Sequence, residues 1–260
     1  MPRFLLRIEY AGTRYRGWQI QNNARTVQGE IARAARDVLR TDNFELYGSG
    51  RTDAGVHAIE QVAHLDTAAK IAPARLADEI NALLPADINI LSVETVDRRF
   101  HARHSATSRG YLYQIARRRT SFAKPYVWWV REPLDIARMR EAAAVFTGMH
   151  DFRAFSDDDP EEKSTKVLVE SLTVEEEGSL VLVRITGSHF IWKMVRRVVG
   201  ILVEAGQGRL SRRDIERMLK GDSELPAQLT APASGLFLEK VTYEGRDHVH
   251  ATRIGIKASL

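Results

Sequence analysis

Two short stretches carry the alternation of half-buried strands: Phe44-Glu45-Leu46-Tyr47 and Ile59-Glu60-Gln61-Val62-Ala63-His64-Leu65. The same periodicities along the first half predict a strand at 4–10, a long loop, and a helix at about 27–40 with Thr26 placed to cap it. Strands follow near 44–50 and 59–66, then a helix entered through Pro73 and running to Leu83, then a strand near 88–96. The order is βαββαβ. The second half repeats it, with a strand at 109–117, a helix near 135–146, and strands at 167–176 and 179–187 joined by the hairpin signal Glu177-Gly178. A long helix spans about 190–205, a short one about 211–220, and a last strand lies near 236–243. Two such units predict an α+β fold built from two ferredoxin-like halves, a duplication visible in element order and hardly at all in residue identity. The expected division is an N-terminal half at 1–97, a crossover at 98–108 and a C-terminal half at 109–260.

Composition narrows the function classes. A chain of 260 residues can bury a substantial core, and with no cysteine it has no disulfide, no thiolate nucleophile and no cysteine-ligated metal. That composition fits a reducing cytoplasm. No apolar run is long enough to span a bilayer, and Met1-Pro2-Arg3-Phe4-Leu5-Leu6-Arg7 is too short and too charged for a signal peptide. The net charge of +4 is modest, but it is segregated. From Arg98 to Arg119 there are arginines at 98, 99, 103, 109, 117, 118 and 119, no acidic residue, and Phe100, Tyr111 and Tyr113 between them. A second acid-free stretch, Tyr10 to Gly29, sets Arg14, Arg16 and Arg25 beside Tyr15 and Trp18. Acid is gathered at Asp157-Asp158-Asp159, Glu161-Glu162 and Glu175-Glu176-Glu177. Such segregation suits a polyanion-binding face, against the plainer reading of arginines that merely decorate a surface.

The candidate chemistry lies in Gly48-Ser49-Gly50-Arg51-Thr52-Asp53-Ala54-Gly55-Val56-His57-Ala58. One carboxylate, Asp53, sits there in a turn flanked by glycines, with Arg51 two residues before it and a strand on either side. Loops shaped in this way between strands commonly carry binding and catalytic groups. In an arbitrary Thr-Asp-Ala-Gly turn, an aspartate that bonds its own backbone would be the preferred explanation. Around it, however, stand Gly17-Trp18-Gln19-Ile20-Gln21, Thr26-Val27-Gln28, Leu84-Pro85-Ala86-Asp87-Ile88, Phe100-His101-Ala102-Arg103 and Tyr111-Leu112-Tyr113. His150-Asp151-Phe152, Met194-Val195-Arg196 and Ala231-Pro232-Ala233-Ser234-Gly235-Leu236 follow in order. Together these motifs resemble the tRNA pseudouridine synthase A family over nearly the whole chain.

The resemblance implies one continuous antiparallel sheet with a central basic cleft. It implies isomerisation of uridine to pseudouridine at tRNA positions 38, 39 and 40 in the anticodon stem-loop, by a homodimer. It makes Asp53 the nucleophile, attacking either the ribose C1′ or uracil C6, and Arg196 its cationic partner. Tyr111 would stack on the uracil, Arg51 would stand near the flipped base, and Leu236 would form an apolar wall. An isomerisation needs neither redox change nor energy source, in keeping with the lack of any cofactor motif. By helical pattern alone, Lys193, Arg197 and Glu204 read as the wet face of the helix at 190–205, with Arg196 at the edge of the apolar face and Gly200 leaving room for a partner. An arginine snorkelling from a core helix is the competing explanation.

Other constellations fail. Gly48-x-Gly50 lacks the third glycine of a dinucleotide site, and no P-loop lysine follows. His57/His64 and His101/His104 lack acidic or cysteine partners at ligand spacing, so no metal is expected and a surface or RNA-facing role is preferred. Asp157-Asp158-Asp159 reads as a solvated loop and not a calcium site. A non-catalytic RNA-binding module would carry the aromatic signature of an RRM strand, which is absent, and would leave Asp53 unexplained. An enzyme acting on a small phosphorylated metabolite would explain the basic stretch but neither its length nor its aromatics.

Overall fold

The structure, a computed structural model, describes residues 1–159, 164–221 and 223–246. In chain order the first elements are β1 (Arg3–Tyr10), α1 (Val27–Leu39), β2 (Phe44–Gly48), β3 (His57–Thr67), α2 (Pro73–Leu83) and β4 (Ile88–Val96). Then come β5 (Ala106–Ala116), β6 (Trp128–Trp129), α3 (Ile136–Val145), β7 (Gly148–Asp151), β8 (Lys166–Glu177) and β9 (Leu180–Gly187). The chain continues through α4 (Met194–Gly206), α5 (Arg212–Lys220), α6 (Leu225–Gln228) and β10 (Leu236–Tyr243). It is an α+β protein whose strands pair mostly antiparallel. It divides into two compact units, Met1–Thr107 with the segment that begins at Phe237, and Ser108–Leu236.

In the first unit β4, β1 and β3 lie side by side, with β2 on the far end of β3, all antiparallel, which is the ferredoxin-like order expected of the first half. The start of β3 takes a second neighbour, β10, in parallel, with Phe237 opposite His57. Helix α1 begins where Thr26 caps it, the hydroxyl accepting from the Gly29 amide at 3.2 Å, and α2 begins at Pro73. On one face of the sheet Phe4, Leu6, Ile8, Ala63 and Leu65 are buried, and the helices add Ile31, Leu76 and Ile80 to the core. On the alternate positions charged and polar groups stand beside the buried Leu5 and Val62. Arg7 donates to Glu60 at 2.6 Å with both side chains almost wholly buried, and Glu94 lies 3.6 Å from the same guanidinium. Arg3 grips Asp66 with two bonds and donates to the carbonyl oxygens of Arg98 and Phe100. Those bonds draw the segment after β4 onto the polar face, where the His64 ring accepts from the Ala102 amide and the Tyr243 hydroxyl donates to the Ala102 carbonyl.

The second unit pairs β5 with β9, β9 with β8 and β8 with β7, all antiparallel, and β6 runs parallel to the end of β5. Helices α3 and α4 pack on each other, and α3 also covers β8. Phe146, Phe152 and Phe155 are fully buried and meet with ring centroids 5.4–6.3 Å apart.

Four features depart from the expected elements. The segment placed as a crossover folds into the first unit, and the last strand, assigned to the C-terminal half, also clusters there. Strands β6 and β7 are too short to show a period. Helix α4 starts at Met194 and not near 190, because Lys193 holds a left-handed backbone, φ 63°, that ends the preceding turn.

Candidate active site

The loop that carries Asp53 is fastened by main chain on both sides. Ser49 enters through its amide, which donates to the Val62 carbonyl at 2.7 Å, and its hydroxyl donates to Gln61 at 2.6 Å. The turn is closed by the Val56 amide donating to the Asp53 carbonyl at 3.1 Å. The preceding Thr52 is buried, its hydroxyl sharing a 2.8 Å hydrogen bond with Tyr10, and its carbonyl accepts from the Trp18 amide at 3.1 Å. Gly55, at φ 79°, donates to the Tyr15 carbonyl at 3.3 Å. Asp53 itself is half-buried.

Other motifs take structural meaning from this loop. Gly17 sits at φ 95°, so close that a Cβ there would lie 2.4 Å from the Thr52 carbonyl oxygen, and a Cβ on Gly48 would strike the Trp18 ring. The Gln28 side chain joins the Ile20 amide to the Leu46 carbonyl. Asp87 accepts from the Tyr15 hydroxyl at 2.5 Å, while its carbonyl accepts from the Ala11 amide. Burial first, and then this carboxylate, push the Tyr15 phenol well above its ordinary range. The N-terminal segment and the connection between α2 and β4 thus act as a splint on the loop. Arg51 stands on it with its side chain exposed.

The remaining expected site residues lie in the second unit. Arg196, on α4, donates through Nε to the Ala231 carbonyl at 2.7 Å, and the Ala231 amide donates back to the Arg196 carbonyl at 3.1 Å. The Ala231–Leu236 motif is therefore tied to α4. Tyr113 locks it further, its hydroxyl donating to the Pro232 carbonyl at 2.7 Å while Gly235 lies flat on its ring. Burial drives the Tyr113 phenol far above its ordinary range, with Arg196 opposing. Tyr111, two residues before it on β5, is half-buried and meets Phe190 edge to face at 5.2 Å. Leu236 is buried at the motif's end. The supporting roles of Tyr10, Tyr113 and Phe190 are not apparent from their own places in the sequence. The spacing of two between Tyr111 and Tyr113 was the available signal for one of them.

Several expectations need correction. His57 and His64 are not on the surface: both are buried, and each ring accepts a main-chain amide, from Gly12 and from Ala102. Arg197 is not on a wet face. It is buried and paired with Asp157, which also takes the Lys193 ammonium at 2.6 Å. Asp158 accepts from the Trp192 amide, so this acidic run anchors the start of α4 and is not simply solvated. Glu161 and Glu162 lie outside the described residues. The space beside Gly200 is taken by main chain, a Cβ there falling 1.7 Å from the Leu229 oxygen. Among the described residues no group of acidic or histidine side chains could hold a metal ion, and no helix is long and apolar enough to cross a membrane.

Comparison with known proteins bears directly on this loop and its splint. The family described as tRNA pseudouridine synthase matches residues 7–105 and 142–244, which include Asp53, its bracing strands and α4. The chain belongs to that family. Enzymes of this kind are isomerases, and this one converts uridine in tRNA to pseudouridine. It is 38% identical over 243 residues to tRNA pseudouridine synthase A of Aquifex aeolicus, covering 93% of this chain and 99% of that one. It is 41% identical over 246 residues to the enzyme of the same name from Nitrobacter hamburgensis, covering 94% and 100%. For the relative from Rhodopseudomonas palustris the identity is 40% over 247 residues, covering 94% and 100%.

Proposed function

We propose that this synthase modifies uridines 38, 39 and 40 in the anticodon stem-loop of tRNA, with Asp53 as its nucleophile. The N1–C1′ bond breaks, the uracil turns, and a C5–C1′ bond forms, with Asp53 attacking ribose C1′ or uracil C6. One observation carries the assignment of Asp53. Its turn is closed by the main-chain bond from Val56 and held by Thr52, Tyr10 and Trp18, so the loop presents Asp53 in a fixed place. A chain that invests two glycines and a buried tyrosine in the placement of one loop is positioning something on that loop.

A carboxylate that acts as a nucleophile in a cleft calls for a cation to balance and orient its charge. Arg196, whose backbone and Nε are locked to Ala231, is assigned that role. Tyr111 stacks on the uracil once the base has left its helix, since a flipped base has lost its neighbours. Arg51 stands near the vacated place, and Leu236 supplies an apolar wall. The enzyme works without a cofactor, as a cytoplasmic homodimer in which one tRNA meets both subunits. The test is release of tritium from C5-labelled uridine in unmodified tRNA transcripts. Release should disappear when positions 38, 39 and 40 are all cytidine; release that persists would move the target site elsewhere.

A further inference from the structure

Beside the Asp53 loop, wholly within the first unit, lies a concavity of about 370 Å³ walled by Gly48, Gly50 and Arg51. That is the size of a cleft for a small ligand, roughly 300–1,000 Å³. Its floor is aromatic. Tyr47 is an exposed ring stacked on His64, with centroids 5.3 Å apart and planes 24° from parallel. His64 meets His101 edge-on at 4.6 Å, and His101 meets His104 at 4.4 Å. Main chain orients the two inner rings: the His64 Nδ1 accepts from the Ala102 amide, and the His101 Nδ1 from the Arg103 and His104 amides. Burial, with nearby cations, pushes His64 down to about 4 and lowers His101 as well, which disfavours charge on these two rings. The rim is cationic, with Arg51 and Arg103 both exposed, and no acidic residue lines the pocket.

An aromatic floor under a guanidinium rim matches an unpaired nucleotide, which offers a flat base and a phosphate. A free anion would use the rim and leave the floor without purpose. Arg51 and Asp53 are two residues apart, so their Cα atoms are separated by at most about 7 Å, a gap that neighbouring nucleotides of a splayed strand can span. We propose that this pocket takes a second nucleotide of the tRNA, adjacent to the target uridine, with its base on Tyr47 and His101 and its phosphate between Arg51 and Arg103. The proposal rests on Asp53 being the reacting group. It gives the enzyme a contact that holds the strand open next to the flipped base.

The test uses the full chain and an unmodified tRNA transcript. Tyr47→Ala should weaken binding roughly tenfold, while Tyr47→Phe, which keeps the ring, should recover most of the loss. Arg103→Gln should lower the slope of log K against log salt by roughly one, and Tyr47→Ala should leave that slope alone. Photocrosslinking from 5-iodouridine placed next to the target should reach Tyr47 or the His101–His104 segment. Binding by Tyr47→Ala within twofold of wild type, or crosslinks confined to other segments, would overturn the pocket while leaving the activity standing. A wild-type protein that forms no pseudouridine would overturn the activity, and the pocket's role with it.

Discussion

The position of Asp53 is set through its neighbours. Thr52 is fastened by Tyr10 and Trp18, Gly55 by Tyr15, and the turn between them by Val56. Arg196 is fixed by a reciprocal pair of bonds with Ala231. If Arg196 is the cationic partner of Asp53, Arg196→Met should reduce tritium release by roughly a hundredfold, the scale on which one preorganised polar group matters at a reacting centre. Near-normal release from a folded Arg196→Met protein would remove it from the mechanism. His64 offers a test that is independent of catalysis. Its buried ring titrates near 4, below the ordinary 6.5, because burial, Arg3 and His101 disfavour the charged form. The unfolded chain therefore takes up the proton first. The stability due to neutral His64 is complete above about pH 6.5 and is lost as pH falls towards 4, with His101 contributing in the same direction. Melting temperatures between about pH 7 and pH 4.5 should fall, and His64→Gln should reduce the slope. An unchanged slope would place the acid sensitivity elsewhere.

Elements with their own periodicity and punctuation were legible. Thr26 before α1, Pro73 at the head of α2 and Glu177-Gly178 between β8 and β9 each mark a boundary by local chemistry, and the structure places the elements there. What local pattern could not reveal was pairing between distant segments. Arg197 looked wet because a helical wheel counts charges and cannot see Asp157 arriving from a loop 40 positions earlier. Asp87 gave no sign from its own surroundings that it would hold Tyr15, 72 positions away. The same holds for Arg7, a buried arginine between Leu6 and Ile8 on β1, which Glu60 and Glu94 neutralise from β3 and β4. Removing one partner of such a buried pair leaves an uncompensated charge. Arg7→Met should cost about 3–5 kcal/mol in urea denaturation, and Arg7→Met with Glu60→Leu should return much of it. If the single variant is as stable as wild type, the pair does not hold the sheet.

For the molecule as a whole, the residues proposed for catalysis are distributed over the two compact units: Asp53 and Arg51 in the first, Tyr111, Arg196 and Leu236 in the second. Their proposal as one group rests on ordered motifs spread over the chain, since no local pattern relates a turn after β2 to a helix near position 196. The basic stretch was legible in its own right, and Arg98, Arg99 and Arg103 are exposed. Charge of this kind carries most of the affinity for an RNA, through contacts to phosphate, whereas chemistry rests on the carboxylate. The two can therefore be separated on one preparation by measuring tRNA affinity and pseudouridine formation for Asp53→Asn, which is nearly isosteric and leaves the main-chain bonds of the turn available. The account predicts tRNA binding within a few-fold of wild type and turnover lower by many orders of magnitude, as when a covalent route is removed. Appreciable pseudouridine from the Asp53→Asn protein would contradict it.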